Sequence, residues 1–211
     1  MMRFIFTIIG CFFLSAINAQ DMASVFTNMP DRYIPQLESA WRRDLIDLYN
    51  SSDKEARLQN TMTGYSVLEE LTADYLRLRS TERTTIEMKL LPLVNNTYII
   101  CMTTTIEGPA ADSRISFFTT EWQPLEAETL LTPVNTTWFI QKNAQRSEDE
   151  YDYAISRLDM DLIKYQLSPE NLTLTATYTT PLYLSREERD KITPFIKDTP
   201  KVYTWERSQF Q

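Results

Sequence analysis

The chain has 211 residues, with 21 Lys and Arg against 29 Asp and Glu, a net charge of −8, two cysteines, three glycines and no histidine. That charge balance repels a phosphate backbone and argues against nucleic acid as a partner. The missing histidine excludes Ser-His-Asp and Cys-His catalysis and histidine-held zinc or iron, and three glycines cannot supply a Walker loop or a dinucleotide fingerprint.

The first element in chain order is a leader. Arg3 is followed by an apolar run from Phe4 to Leu14, broken only by Thr7 and Gly10, and then by Ser15, Ala16, Ile17, Asn18 and Ala19. One positive charge, a short apolar core and a terminal small residue predict a secretory signal peptide over 1–19, cut after Ala19. The run is too short to span a bilayer, which takes about 20 apolar residues. A lipoprotein layout, "IIGC" with Cys11 acylated, is the alternative; against it stand Ile9, where a small residue is wanted, and the apolar residues beyond the cysteine. Cleavage leaves a single cysteine, Cys101, and hence no intramolecular disulfide, which suits bacterial export to the periplasm or the exterior. No later run reaches membrane-spanning length.

Residues 20–211 read as one α+β domain, with a subdomain boundary, if there is one, near 132–147. Asp21 is placed to cap "MASVFTNM", which Pro30 ends. Ser39 is placed to cap "AWRRDLIDLYN", where Trp41, Leu45 and Leu48 share a face and Arg42, Arg43, Asp44 and Asp47 fall mostly elsewhere. "VLEELTADYLRL" fits helix or strand. From Thr84 the period is two: Ile86, Met88 and Leu90 alternate with Glu87 and Lys89, a turn at Asn95 and Asn96 leads into "TYIICMTTTIE", and "SRISFFTTEW" follows as a third strand. Cys101 lies in that second run and reads as a small buried hydrophobe.

"TTWFIQ" reads as a strand. Ser147 with Glu150 forms a capping box before Tyr151, Ala154, Ile155 and Leu158; "DLIKYQL" and "LTLTATYTT" form a hairpin with one threonine face in water; Ser185 with Glu188 starts a short helix; and "KVYTW" closes the sheet. The sum is a mainly antiparallel meander with N-terminal helices and one or two further short helices packed against it.

Three pieces taken together, "VFTNMPDRYIPQL", "MKLLPL" with "SRISFFTTEWQPL", and "YTTPLYLSREERDKI" with "YTW", resemble a family of exported proteins from Gram-negative gut anaerobes that is classified only as a domain of unknown function. The resemblance implies bacterial export and carries no catalytic residue.

Three patterns bear on chemistry. Ser51 and Lys54 form Ser-x-x-Lys without the Ser-Asp-Asn or Lys-Thr-Gly that penicillin-binding enzymes add. The acidic "SEDEYDY" and "DMD" lack the glycine and the terminal glutamate of a calcium loop, so no metal and no cofactor is assigned. Paired carboxylates beside aromatic rings would suit glycoside hydrolysis, and Glu121 beside Trp122 and Glu206 beside Trp205 are the candidates. The leading expectation is a non-enzymatic binding or accessory protein for a protein, peptide or glycan partner, and the alternative is a carboxylate-dependent glycan hydrolase.

Overall fold

A computed structural model describes residues 21–51 and 55–211. The expected signal peptide of residues 1–19, with Cys11, and Lys54 lie outside the described residues. The chain starts with helix α1 (Met22–Thr27), capped by the Asp21 carboxylate, which accepts from the Ser24 amide at 2.7 Å. Helix α2 (Ser39–Ser51) follows a single 3-10 turn.

Seven strands then form one antiparallel sheet in simple chain order: β1 (Ala56–Gln59), β2 (Tyr65–Leu71), β3 (Tyr75–Thr81), β4 (Thr84–Pro92), β5 (Tyr98–Ile106), β6 (Asp112–Thr119) and β7 (Pro124–Leu125). The ambiguous "VLEELTADYLRL" is the β2–β3 hairpin, with a bulge between Leu68 and Glu70. Its strand register puts Leu68, Leu76 and Leu78 together on one face, and that burial decides against the helix.

The two-residue period gives this sheet two buried faces. Leu76, Leu78, Ile86, Met88, Leu90 and Ile100 pack on Met22, Val25 and Phe26 of α1 and Leu45 of α2. Tyr75, Leu91, Ile99, Cys101 and Phe117 point the other way, onto a second, four-stranded antiparallel sheet. That sheet contains β8 (Ile163–Leu167), β9 (Thr173–Tyr178), β10 (Lys201–Glu206) and β11 (Gln209–Phe210), in the order β11-β10-β9-β8. The expectation that "KVYTW" closes a single sheet is therefore corrected. The segment between β7 and β8 is mostly irregular and helical, so the chain restarts as a separate sheet stacked on the first.

The "TTWFIQ" strand is also corrected: Thr136–Phe139 is a short helix, α3, and only Ile140 bridges, to Ile196. The helical turn lets Phe139 bury itself against Tyr178, with ring centroids 5.2 Å apart, while the Thr136 hydroxyl donates to Asp161. Helix α4 (Glu148–Arg157) carries the full Ser147–Glu150 capping box, and α5 (Arg186–Ile192) begins at Ser185, whose hydroxyl accepts from the Glu188 amide.

Arg42 departs from its expected outward face. Its side chain is fully buried, its guanidinium donates to the carbonyls of Leu37 (2.6 Å) and Met29, and it pairs with Asp31 at 3.0 Å. It satisfies backbone acceptors of the irregular stretch between α1 and α2 that no helix or strand satisfies.

Candidate functional site

The candidate acids and tryptophans are placed on different sheets. Glu121 and Trp122 occupy the β6–β7 turn, where Trp122 takes a left-handed backbone at φ 64°. Trp122 is 2% exposed, its indole N–H donates to the Val25 carbonyl at 3.1 Å, and its ring packs on Tyr33 and Phe118. Trp205, in β10, is 5% exposed and donates to the Pro92 carbonyl at 2.7 Å. Both indoles are closed into the interior, so neither presents a platform to a sugar ring. Glu121 and Glu206 are exposed, and Glu121 accepts from the Thr120 hydroxyl at 2.8 Å.

The remaining sequence candidates are held by local structure. The Ser51 hydroxyl donates to the Asp47 carbonyl within its own helix. In the acidic segment Glu148 pairs with Lys142 and Glu150 with Arg146, each through an exposed bridge. Among the described residues no group of three potential metal ligands comes together.

Between the two sheets lies a polar seam centred on Glu87, which is 3% exposed. Its carboxylate accepts from the Tyr75 hydroxyl at 3.0 Å, Arg77 at 3.2 Å, the Thr103 hydroxyl at 3.4 Å and the Leu167 amide at 3.1 Å. Beside it Lys89, 2% exposed, pairs with Asp74 and donates to the Pro169 carbonyl, both at 2.9 Å. Burial, with the Glu87 carboxylate second, holds the Tyr75 phenol and the Cys101 thiol far above their ordinary values. Both stay neutral, and a fully buried neutral thiol has no nucleophilic character. Farther along the face, burial raises the Glu69 carboxyl, but Arg79 and Arg77 outweigh it and hold the group below its ordinary value.

The seam has a structural purpose. The amides of Ile163, Tyr165 and Leu167 donate to Asp112, Ser113 and Glu87, at 3.2, 3.0 and 3.1 Å. Alternate N–H groups along one side of β8 are thus satisfied by side chains of β6 and β4 as the strand passes diagonally over the first sheet. They substitute for a neighbouring strand that β8 lacks on that side.

Accessible concavity lies elsewhere. A groove of about 670 Å³ runs beside β6, with Tyr33, Ile106, Phe118 and Leu125 among its apolar lining and Arg32 and Arg114 as its cations. The short β7 pairs β6 only at Phe117 and Phe118, so residues 112–116 lack a strand on their outer side. Arg32 is exposed, lies 4.9 Å from the Tyr33 ring centroid and donates to its hydroxyl; Arg114 is exposed; neither makes an ion pair among the described residues. A second concavity, of about 560 Å³, lies between α3 and the β10–β11 hairpin, with Trp138 in its wall.

Sequence reasoning missed Arg32, Arg114 and Trp138. Arg114 has a readable signal, as the one cation in a strand that is apolar and hydroxylic beyond Asp112. Arg32 and Trp138 become neighbours of a groove only through tertiary packing.

A family model described as "Protein of unknown function (DUF3256)" matches residues 14–210. Among solved structures, the chain is similar to a domain of an uncharacterized protein from Porphyromonas gingivalis W83. The identity is 26%, 90% of this chain and 96% of that one are covered, and the TM-score is 0.79. No curated protein matches it.

Proposed function

We propose that this chain, which belongs to the DUF3256 family of proteins of unknown function, is an exported, non-enzymatic binding protein whose partner lays an extended acidic peptide segment in the groove beside β6. Export rests on the leader pattern of residues 1–19, whether the chain is freed after Ala19 into the periplasm or exterior or held by an acylated Cys11. A Gram-negative gut anaerobe as source rests on the sequence resemblance.

One observation carries the binding reading: among the described residues, β6 is unpaired along 112–116 beside a groove holding two arginines that make no ion pair, in a chain of net charge −8. An open strand edge takes an added strand through main-chain hydrogen bonds, and flanking cations choose its charge. Asp112, at the start of the edge, is engaged with the Ile163 amide.

The test is fluorescence anisotropy with a labelled peptide of alternating Val and Glu, and a second of alternating Val and Lys. The acidic peptide should bind, and the double variant Arg32→Glu, Arg114→Glu should weaken it by about tenfold or more. Equal affinity for both peptides, or binding indifferent to the double variant, overturns the proposal. The hydrolase alternative draws no support from Glu121 and Glu206, whose neighbouring indoles are closed. Alanine changes at both, assayed on a glycan panel, test it directly.

A further inference from the structure

We infer that the groove between α3 and the β10–β11 hairpin is a binding site for a neutral oligosaccharide. It lies on the second sheet and shares no lining residue with the β6 groove, and the inference does not depend on the peptide reading. The concavity, about 560 Å³, falls in the range of small-ligand sites.

Its aromatic wall is Trp138. The indole N–H groups of Trp122 and Trp205 are spent on backbone carbonyls, whereas that of half-buried Trp138 has no acceptor among the described residues. The ring is nonetheless held in place: Phe139 meets it edge-on with centroids 4.8 Å apart, and the Lys197 ammonium stands 4.6 Å from its centroid. An indole fixed in this way offers an apolar surface to sugar C–H groups and a donor to a hydroxyl at little ordering cost.

The polar lining is of one kind. Asn135, Gln209 and Gln211 supply side-chain amides. The Asn135 oxygen accepts from the Thr137 hydroxyl at 2.6 Å, which leaves its NH₂ group free to donate, and the two glutamine side chains make no hydrogen bond among the described residues. Planar amides present a donor and an acceptor side by side, which matches vicinal hydroxyls.

Charge sets the ligand class. The chain has 29 acidic residues, yet no Asp or Glu side chain lines this groove, and its one charged lining residue, Lys201, stands 5.0 Å from the Tyr203 ring centroid. The two ammoniums nearest the groove, Lys201 in its lining and Lys197 over the Trp138 ring, each sit against an aromatic ring and form no arginine fork to hold a phosphate or carboxylate, and a lining of indole, amides and hydroxyls suits an uncharged polyol.

The experiment is isothermal titration of the protein with four neutral probes, maltohexaose, xylohexaose, cellohexaose and chitohexaose, and one acidic probe, oligogalacturonate. At least one neutral probe should bind and the acidic one should not. Trp138→Ala should reduce the affinity by about tenfold or more. Gln209→Ala, an exposed change that leaves the core intact, should reduce it severalfold with unchanged melting temperature, so the site is still tested if Trp138→Ala fails to fold. The Arg32→Glu, Arg114→Glu variant should bind sugar normally, which separates this site from the β6 groove. Absence of binding by all four neutral probes, binding unaffected by Gln209→Ala, or equal binding of the acidic probe overturns the inference.

Discussion

The two faces of the seven-stranded sheet are built from the same alternating strands but meet their partners differently. The face under α1 and α2 is mainly apolar along the strands, with the buried Ser66 hydroxyl as a neutral exception, and among the described residues its one buried charge, Arg42, is contributed by a helix. Helices satisfy their own backbone groups, so they need only an apolar stripe to rest on. The opposite face meets another sheet together with its edge strand β8, and an edge brings unpaired amides with it. Glu87, Asp112 and Ser113 are the answer to those amides. The comparison teaches that polar residues on a buried strand face can mark where a second sheet lands rather than where chemistry occurs.

The largest break in that comparison should come from Glu87→Leu. It strands the Leu167 amide, the Tyr75 hydroxyl and Arg77, and should cost about 3–5 kcal/mol in urea unfolding. Glu87→Gln keeps the volume and one acceptor and should cost roughly half as much; equal costs for the two would show that the charge and its partners do not matter. On the other face, Arg42→Met should cost about 3 kcal/mol, because the carbonyls of Leu37 and Met29 lose their donor. If Arg42→Met is neutral, the helical face is as free of polar obligation as its strands suggest.

The inter-sheet side should also be the more alkali-sensitive. Burial, with Tyr203 nearby, pushes the Tyr165 phenol up to about 12 from an ordinary value of 10.0. The unfolded chain releases this proton first, so the contribution is complete below pH 10 and is lost as the pH rises toward about 12. The slope should be about 1.4 kcal/mol per pH unit for this residue. Tyr165→Phe should flatten that decline, and an unchanged slope would remove Tyr165 from the account.

The smallest effects belong outside the seam. Glu121→Ala and Glu206→Ala should each move stability by less than about 0.5 kcal/mol, as exposed substitutions do. Cys101, fully buried, should resist thiol labelling in native protein and react only on unfolding; rapid native labelling would show that the two sheets separate locally.

Much of this was legible in the chain. The caps at Asp21, Ser147 and Ser185 bind amides a fixed three residues on, and the strand alternation from Thr84 onward fixes side-chain direction with no knowledge of the partner. The α+β class follows from these local rules. "VLEELTADYLRL" is ambiguous in sequence because its leucines satisfy both periods, and "TTWFIQ" departs from the expected strand because six residues carry too little pattern to separate a strand from one helical turn anchored by the distant Tyr178.

The candidate sites were the least legible. Four tryptophans look alike in sequence; Trp122 and Trp205 are closed and Trp138 lines a groove because Val25, Pro92 and the β10–β11 hairpin, remote in the chain, stand where they do. By itself the sequence determined what local periodicity and composition dictate: caps, strand alternation, fold class and the exclusion of histidine chemistry. Only the tertiary structure decided that there are two sheets, that Arg42 and Glu87 are buried servants of unpaired backbone, and which arginines and rings line a groove. Those outcomes depend on contacts between separate elements, from 13 positions apart for Arg42 and Met29 to 113 for Trp205 and Pro92, which no local pattern encodes.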